Sequence, residues 1–438
     1  MHRLTGLAAR QKGDTLPAKG ANGETSVGII ADFKSLSRPQ RTAVWAGYLG
    51  WTLDAFDFFL LVFMLKAIAA AFGSDIKSVA AAITFTLAAR PVGALVFGLV
   101  AERYGRRPVL VMVILAFSVL SALSGAAQSL GQLLLIRTVF GFAMGGEWGV
   151  GASLAMETIP PRVRGVVSGL IQSGYPSGYL LASLVYYLFF DAIGWRWMFV
   201  LGLAPALFVL YVRVHVEESP VFAARARQAG GSPLAPLGDI VRHWKLALYL
   251  VVLMAAFNFF SHGTQDLYPT FLQKQREYDT HLTGLIAMVM NVGAITGAML
   301  FGPLSDRFGR RRTIAIASLL ALPVLPLWAF APGAVLLGAG AFLMQVSVQG
   351  AWAIVPAHLN ELSPPAVRAM FPGFVYQLGN LVASGNAVWQ AGFAERHGDD
   401  YAMALAVFAA VTAVVLAVWV LLGPERSGGE LGDAIIGE

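Results

Sequence analysis

The chain has 438 residues, of which 57% are hydrophobic and 13% charged, with a net charge of +6. Soluble proteins carry about 25% charged residues, so the composition excludes a soluble enzyme and points to an integral membrane protein. The absence of cysteine excludes disulfides, and the positive balance reads as topology, not as nucleic-acid binding.

The first forty residues lack a compact apolar stretch and a cleavage site, so residues 1–41 are expected to form a cytoplasmic tail and not a signal peptide. Apolar runs of spanning length then recur about twelve times. None alternates with a period of two, so the spans are expected to be helices. Span 1, Thr42–Leu65, carries Asp54 and Asp57; span 2, Val79–Val100, carries Arg90 followed by Pro91. Span 3 covers Val109–Ala127, and span 4, Gly131–Met156, carries Arg137 and Glu147. Spans 5 and 6 are Val166–Phe190 and Trp197–Val214. A polar interval follows, and the rest of the chain yields spans at 246–272, 282–303, 313–331, 334–356, 369–392 and 401–422. The expected organisation is a six-helix bundle over 42–214, a cytoplasmic linker over 215–245, a second six-helix bundle over 246–422 and a cytoplasmic tail over 423–438.

Arginines crowd the loops on one side, including Arg103, Arg106, Arg107, Arg162, Arg164, Arg307, Arg310, Arg311, Arg312 and Arg368. The other side receives Lys66, Lys77, Arg196, Lys274, Arg276 and Arg396. By the positive-inside rule both termini are cytoplasmic, in a cell (inner) membrane.

Two motifs recur at one offset. Gly98-Leu-Val-Ala-Glu-Arg-Tyr-Gly-Arg-Arg107 returns as Gly302-Pro-Leu-Ser-Asp-Arg-Phe-Gly-Arg-Arg311, and 302 − 98 = 204. Glu157-Thr-Ile-Pro-Pro-Arg-Val-Arg164 returns as Glu361-Leu-Ser-Pro-Pro-Ala-Val-Arg368, and 361 − 157 = 204. A repeat of this kind implies two halves in the same orientation with a substrate site between them, near mid-membrane. Under this offset Asp54 falls on Asn258 and Asp57 on Ser261, so spans 1 and 7 present polar faces at equivalent depths.

The doubled Gly-x-x-x-(Asp/Glu)-Arg-x-Gly-Arg-Arg loops resemble the signature of the major facilitator superfamily. That resemblance implies an all-α membrane protein with twelve transmembrane helices in two pseudo-symmetric bundles. It also implies a latch formed by the acidic and basic residues of the two motifs: Glu102, Arg103, Arg106, Glu157 and Arg164, with Asp306, Arg307, Arg310, Glu361 and Arg368. The first copy has Glu102 where the pattern has Asp, which keeps the charge. In span 7, Asn258, Ser261, His262, Thr264, Gln265, Asp266 and Thr270 resemble the signature of the lactate/pyruvate–proton symporters related to yeast carboxylate permeases. Tyr376-Gln-Leu-Gly-Asn380 resembles the same family and implies Gln377 at the substrate site. The region around Arg137 and Glu147 also resembles bacterial sialic-acid permeases.

The residues themselves carry the chemistry further. Asn258, Ser261, His262, Gln265 and Asp266 fall within roughly 140° of one helical face, and such a polar stripe must face a protein interior or a water path. Asp54, Asp57, Arg90, Arg137, Glu147 and Asp266 lie within spans; unpaired, six such groups would cost roughly 15–20 kcal/mol, so they must be paired, hydrated or neutralised. Four acids against two arginines leave one or two acids to carry a proton for part of a cycle, with His262 as another carrier. Asp54, Asp57, Asp266, Glu147 and His262 are therefore the candidates for proton coupling. Asp54 is equally readable as the permanent partner of Arg90. For an anionic substrate, the planar guanidinium of Arg137 matches a carboxylate, with Arg90 as the competing anchor and Asn258, His262, Gln265 and Gln377 around it. His358, at a helix end, is expected to be solvated. No spacing gathers metal ligands, and no cofactor is expected beyond the proton. The expected function is alternating-access symport of a small organic-acid anion, of the lactate/pyruvate class, with protons. A sialic-acid or other organic-acid carrier is the alternative. The expected partners are the anion, the proton and the lipid bilayer, with no nucleic acid and a monomer as the working unit.

Overall fold

A computed structural model describes residues 35–74, 76–220, 222, 238, 241–368 and 370–426. Most of the expected N-terminal tail, much of the expected linker and most of the C-terminal tail lie outside the described residues. Among the described residues all regular structure is helical. Eight of these helices, alone or joined across a short break, are long and apolar enough to cross a membrane.

The first half of the chain contains α1 (Arg38–Phe72), α2 (Ile76–Tyr104), α3 (Arg106–Gly125), α4 (Leu130–Gly145), α5 (Glu147–Thr158), α6 (Arg164–Gln172), α7 (Gly174–Leu201) and α8 (Ala204–His215). The second half contains α9 (Trp244–Gln265), α10 (Tyr268–Lys274), α11 (Thr280–Phe308), α12 (Arg310–Leu319), α13 (Ala321–Leu325), α14 (Ala334–Trp352), α15 (Val355–Leu362), α16 (Phe371–Ala383), α17 (Asn386–Arg396) and α18 (Tyr401–Leu422). Helix α1 starts where a start is written: Ser37 and Gln40 form a reciprocal capping box and Pro39 occupies the first turn.

Several expected spans are broken. Span 7 ends at Gln265, and Pro269 opens the short α10 beyond it, because proline has no N–H to continue the preceding helix. The polar stripe therefore runs off the helix end, leaving Asp266 at the cap. Spans 5 and 11 break at Ser173 and at Ser384–Gly385, and span 6 at Gly202–Leu203.

The two Gly-Arg-Arg loops fold alike. Gly105 and Gly309 adopt φ of 105° and 86°, which reverses the chain into α3 and α12. The free N–H groups at the start of α3 donate to Glu218, from Arg106 N at 2.9 Å and Arg107 N at 3.1 Å. Those of α12 donate to Glu425, from Arg310 N at 2.7 Å and Arg311 N at 3.3 Å. A carboxylate following the sixth or the last span thus caps the third span of its own half, where the helix dipole favours negative charge. Glu218, within the expected cytoplasmic linker over 215–245, is accordingly docked on α3.

Contacts between the halves gather at the end that carries these loops. The N–H of Gly165 donates to Asp306 at 2.9 Å, and Gly165 and Gly302 pass backbone to backbone, with no room for a side chain. Ser153 donates to Asn360 at 3.1 Å and to the Arg368 carbonyl at 2.8 Å. Arg164 lies 3.6 Å from Glu361. The structure is closed at this end.

Candidate functional site

Two neighbouring constellations carry the chemistry. The first is a buried charge network within the first half. Arg90 of α2 reaches Asp54 of α1 at 3.2 Å, with both side chains almost wholly buried. One turn on, Asp57 accepts from Ser121 at 3.0 Å. Arg137 of α4 is completely buried; its guanidinium lies over the Phe140 ring at 3.8 Å, and none of its three nitrogens has a hydrogen-bond partner. It and Asp57 are electrostatic neighbours. Glu147, at the start of α5, faces Gly50 of α1, and both its oxygens are buried without a hydrogen-bond partner. Glycines 141 and 145 let α4 lie against the α2 backbone at Thr86 and Arg90, which brings these helices together.

If all five groups were ionised, three acids against two arginines would leave 3 − 2 = 1 unit of negative charge. An uncompensated buried charge is costly. Asp266 does not belong to the network. The structure puts Asp266 in the second half, 3.2 Å from His262, with 40% of its side chain exposed, because the helix that was to bury it ends one residue earlier.

The second constellation is a cavity between the halves. It is lined by Trp51, Gln172 and Tyr175 from the first half and by Asn258, Ser261, His262, Gln349, Trp352 and Tyr376 from the second. Asn258, Ser261 and His262 thus face it as the stripe implied. Gln265 instead donates to Gln345 at 2.8 Å. Gln377 is buried with its carbonyl oxygen unpartnered, but it is not among the lining residues, and neither Arg90 nor Arg137 is either. The lining holds one group able to carry positive charge, His262.

The latch residues pair in both halves. Arg106 meets Glu157 at 3.2 Å and Glu102 at 3.1 Å. Its repeat mate Arg310 (106 + 204) meets Glu361 (157 + 204) at 2.9 Å and Asp306 at 2.7 Å. Ser219 also donates a short hydrogen bond to Glu157. Arg103 and Arg307 are exposed. Arg368, the last residue of its motif and three residues before α16, is buried, and that burial pushes it down to about 10, still cationic at neutral pH. His358 corrects the expectation of a solvated side chain: α15 is buried along its whole length, and both ring nitrogens of His358 lack a partner.

Sequence reading missed the tryptophans. Trp148 and Trp352 differ by 352 − 148 = 204, so the offset that matched the loops also pairs these rings, one from each half. Gln172 and Tyr376 form a second such pair, 376 − 172 = 204.

A family model described as the Major Facilitator Superfamily matches residues 48–384 and 267–434. A protein of Cupriavidus pinatubonensis named "Probable 4-methylmuconolactone transporter" is 33% identical over 407 residues, covering 91% of this chain and 94% of that protein. A "Carboxylic acid transporter protein homolog" of Saccharomyces cerevisiae is 27% identical over 446 residues, covering 94% of this chain and 72% of that protein. The proton:xylose symporter XylE, solved with 6-bromo-6-deoxy-D-glucose, superposes with a TM-score of 0.70 at 17% identity, over 91% of this chain and 98% of that one. That likeness establishes the fold.

Proposed function

The chain belongs to the Major Facilitator Superfamily, and from that premise we propose that it is a proton-coupled symporter of a small monocarboxylate, working by alternating access. Its twelve spans form two six-helix halves, bounded at 42–214 and 246–422, in an inner membrane with both termini cytoplasmic. The working unit is the monomer.

The observation that carries this reading is the buried network of Asp54, Asp57, Glu147, Arg90 and Arg137, one proton short of neutrality, beside a cavity whose lining is polar but nearly uncharged. A proton in the first half neutralises the network, and the anion enters the cavity between the halves. The proton and the anion together add no net charge, so the loaded carrier rocks its halves through the low-dielectric centre with no more net charge than the empty one. The Arg164–Glu361 contact and the Gly165–Asp306 hydrogen bond cross between the halves and hold the cytoplasmic end closed, while Arg106–Glu157 and Arg310–Glu361 brace the loops within each half.

Similarity to proteins named for a carboxylic acid and for a muconolactone supports an organic acid. Lactate and pyruvate are the acids implied by Asn258, His262 and their neighbours; sialic acid is the alternative. The test is uptake of labelled acids into proteoliposomes with and without an inward proton gradient. Gradient-stimulated monocarboxylate uptake is expected. Uptake of sialic acid alone would keep the fold and overturn the substrate.

A further inference from the structure

Glu147 is a carboxyl without a donor. It is 1% exposed, and neither of its oxygens has a hydrogen-bond partner. It lies against Gly50 of α1, where any side chain would collide with Oε1, so glycine leaves the carboxyl its room. Gly50 and Asp54 are four residues apart on α1 and share a face, so Glu147 stands one helical turn from Asp54. The charged groups that face Glu147 are Asp54 and Arg90. Asp57 is engaged by Ser121 and Arg137, and Arg106, Arg164 and Glu361 of the other helices packed on α5 are held in the cytoplasmic latch.

Arg90 is held on one side only. Its Nη2 donates to Asp54 at 3.2 Å and to the sulfur of Met144, a weak acceptor, at 2.7 Å. Arg90 Nε and Asp54 Oδ1 have no partner. Met144 precedes Glu147 by three residues, so the guanidinium reaches the segment that carries Glu147. Unused donor and unused acceptors thus lie side by side, where a settled buried ion pair would use both. The second half shows that packing does not require these charges. Under the offset of 204, Arg90 falls on Ala294 and Glu147 on Ala351. Both halves nonetheless form the same close helix crossing, Gly93 of α2 on Phe142 of α4 and Gly297 of α11 on Val346 of α14.

We propose that Arg90 exchanges partners between Asp54 and Glu147, and that the coupling proton sits on whichever of the two carboxyls Arg90 leaves. The inference rests on the proton-coupled reading and deepens it by giving the proton two named stations. In the structure Arg90 is on Asp54, so the proton is on Glu147. As the cytoplasmic end opens, Arg90 turns to Glu147. The O–H bond on Glu147 breaks, one forms on Asp54, and Asp54 then releases the proton to water in the opened cavity. Asp54 is an electrostatic neighbour of Tyr175 and Tyr376, both in the cavity wall, which gives that proton its way out. One guanidinium serving two acids in turn keeps the network's charge constant until the proton leaves, so no step strands a buried charge.

The test uses the full chain, purified and reconstituted, with labelled lactate as the probe. Glu147→Gln mimics the protonated carboxyl and cannot give up a proton. It is expected to keep the parent's melting temperature and to exchange labelled for unlabelled lactate. Its accumulation under an inward gradient of one pH unit is expected to fall from about tenfold to about one. Undiminished accumulation would overturn the exchange and leave the carrier reading standing. Two readouts need no substrate. At neutral pH the infrared carbonyl band of a protonated carboxyl is expected in the parent and absent from Glu147→Gln; a band that persists puts the proton on another acid and overturns the assignment. In Asp54→Asn, Arg90 can still turn to Glu147, so adding Glu147→Gln is expected to lower the melting temperature by more than the two single changes together. Additive shifts would overturn the partner exchange. A parent protein without gradient-stimulated lactate uptake would count against the symport reading, and the band and the melting series then decide the exchange on their own.

Discussion

Arg310→Ala is expected to destabilise the protein by about 3–5 kcal/mol, the cost of removing one partner from a buried ion pair. Arg310 is 1% exposed and grips Glu361 with two bonds, Nε to Oε2 at 3.0 Å and Nη2 to Oε1 at 2.9 Å. The same guanidinium donates to Asp306 at 2.7 Å and Ser305 at 2.6 Å. Its removal strands two carboxylates in a closed interface. Arg164 stands 3.6 Å from Glu361 and recovers part of that loss. Arg106→Ala is expected to cost less, because its bonds to Glu157 and Glu102 are single and longer, at 3.2 and 3.1 Å. Thermal unfolding of the purified variants checks the order. If these arginines served only to set topology, both variants would melt like the parent.

Asp54→Asn is expected to abolish concentrative uptake while leaving exchange of labelled for unlabelled substrate. One proton moving with one monocarboxylate makes the cycle electroneutral, so a gradient of one pH unit can sustain about a tenfold accumulation. With Asp54 replaced by a neutral residue, the two remaining acids balance the two arginines without a proton, and the ratio is expected to fall to about one. Asn preserves size and leaves Arg90 a neutral hydrogen-bond acceptor, which protects folding. The variant therefore separates coupling from a permanent structural pair, in which case accumulation would survive or the protein would be lost outright. Asp54→Asn combined with Arg90→Gln is expected to match the single variant in transport and to recover stability, because it removes the stranded guanidinium.

Much of this was legible in the sequence. The offset matched the two Gly-Arg-Arg loops as copies of one another, and the structure holds an equivalent ion pair in each, Arg106–Glu157 and Arg310–Glu361. Helical periodicity brought Asn258, Ser261 and His262 to the cavity. Periodicity assumes an unbroken helix, so it failed where Pro269 ended one: Asp266 was placed within a span, and the structure puts it at the helix cap with its side chain partly exposed. Arg137 looked like a substrate anchor because guanidinium chemistry suits carboxylates. The direction in which a side chain leaves its helix is fixed by the neighbours, and here Phe140 and Phe199 hold it inside the first half. Trp148 and Trp352 were hidden by a different cause: buried tryptophan is ordinary in a membrane bundle, and only the fold brings the two rings together on Tyr376. Glu218 and Glu425 escaped because the residues that each caps are distant in sequence, 218 against 106 and 425 against 310.

The central claim is that acid and proton cross together, and the most direct measurement follows both at once. Proteoliposomes holding a trapped pH indicator receive labelled lactate or pyruvate with no initial pH gradient. Neutral acids leak through bilayers carrying their own protons, so the protein-dependent flux is the excess over empty liposomes. Internal acidification is expected to rise with labelled uptake, to saturate with it and to disappear in Asp54→Asn. Saturable, protein-dependent uptake of the acid anion without matching acidification would contradict it.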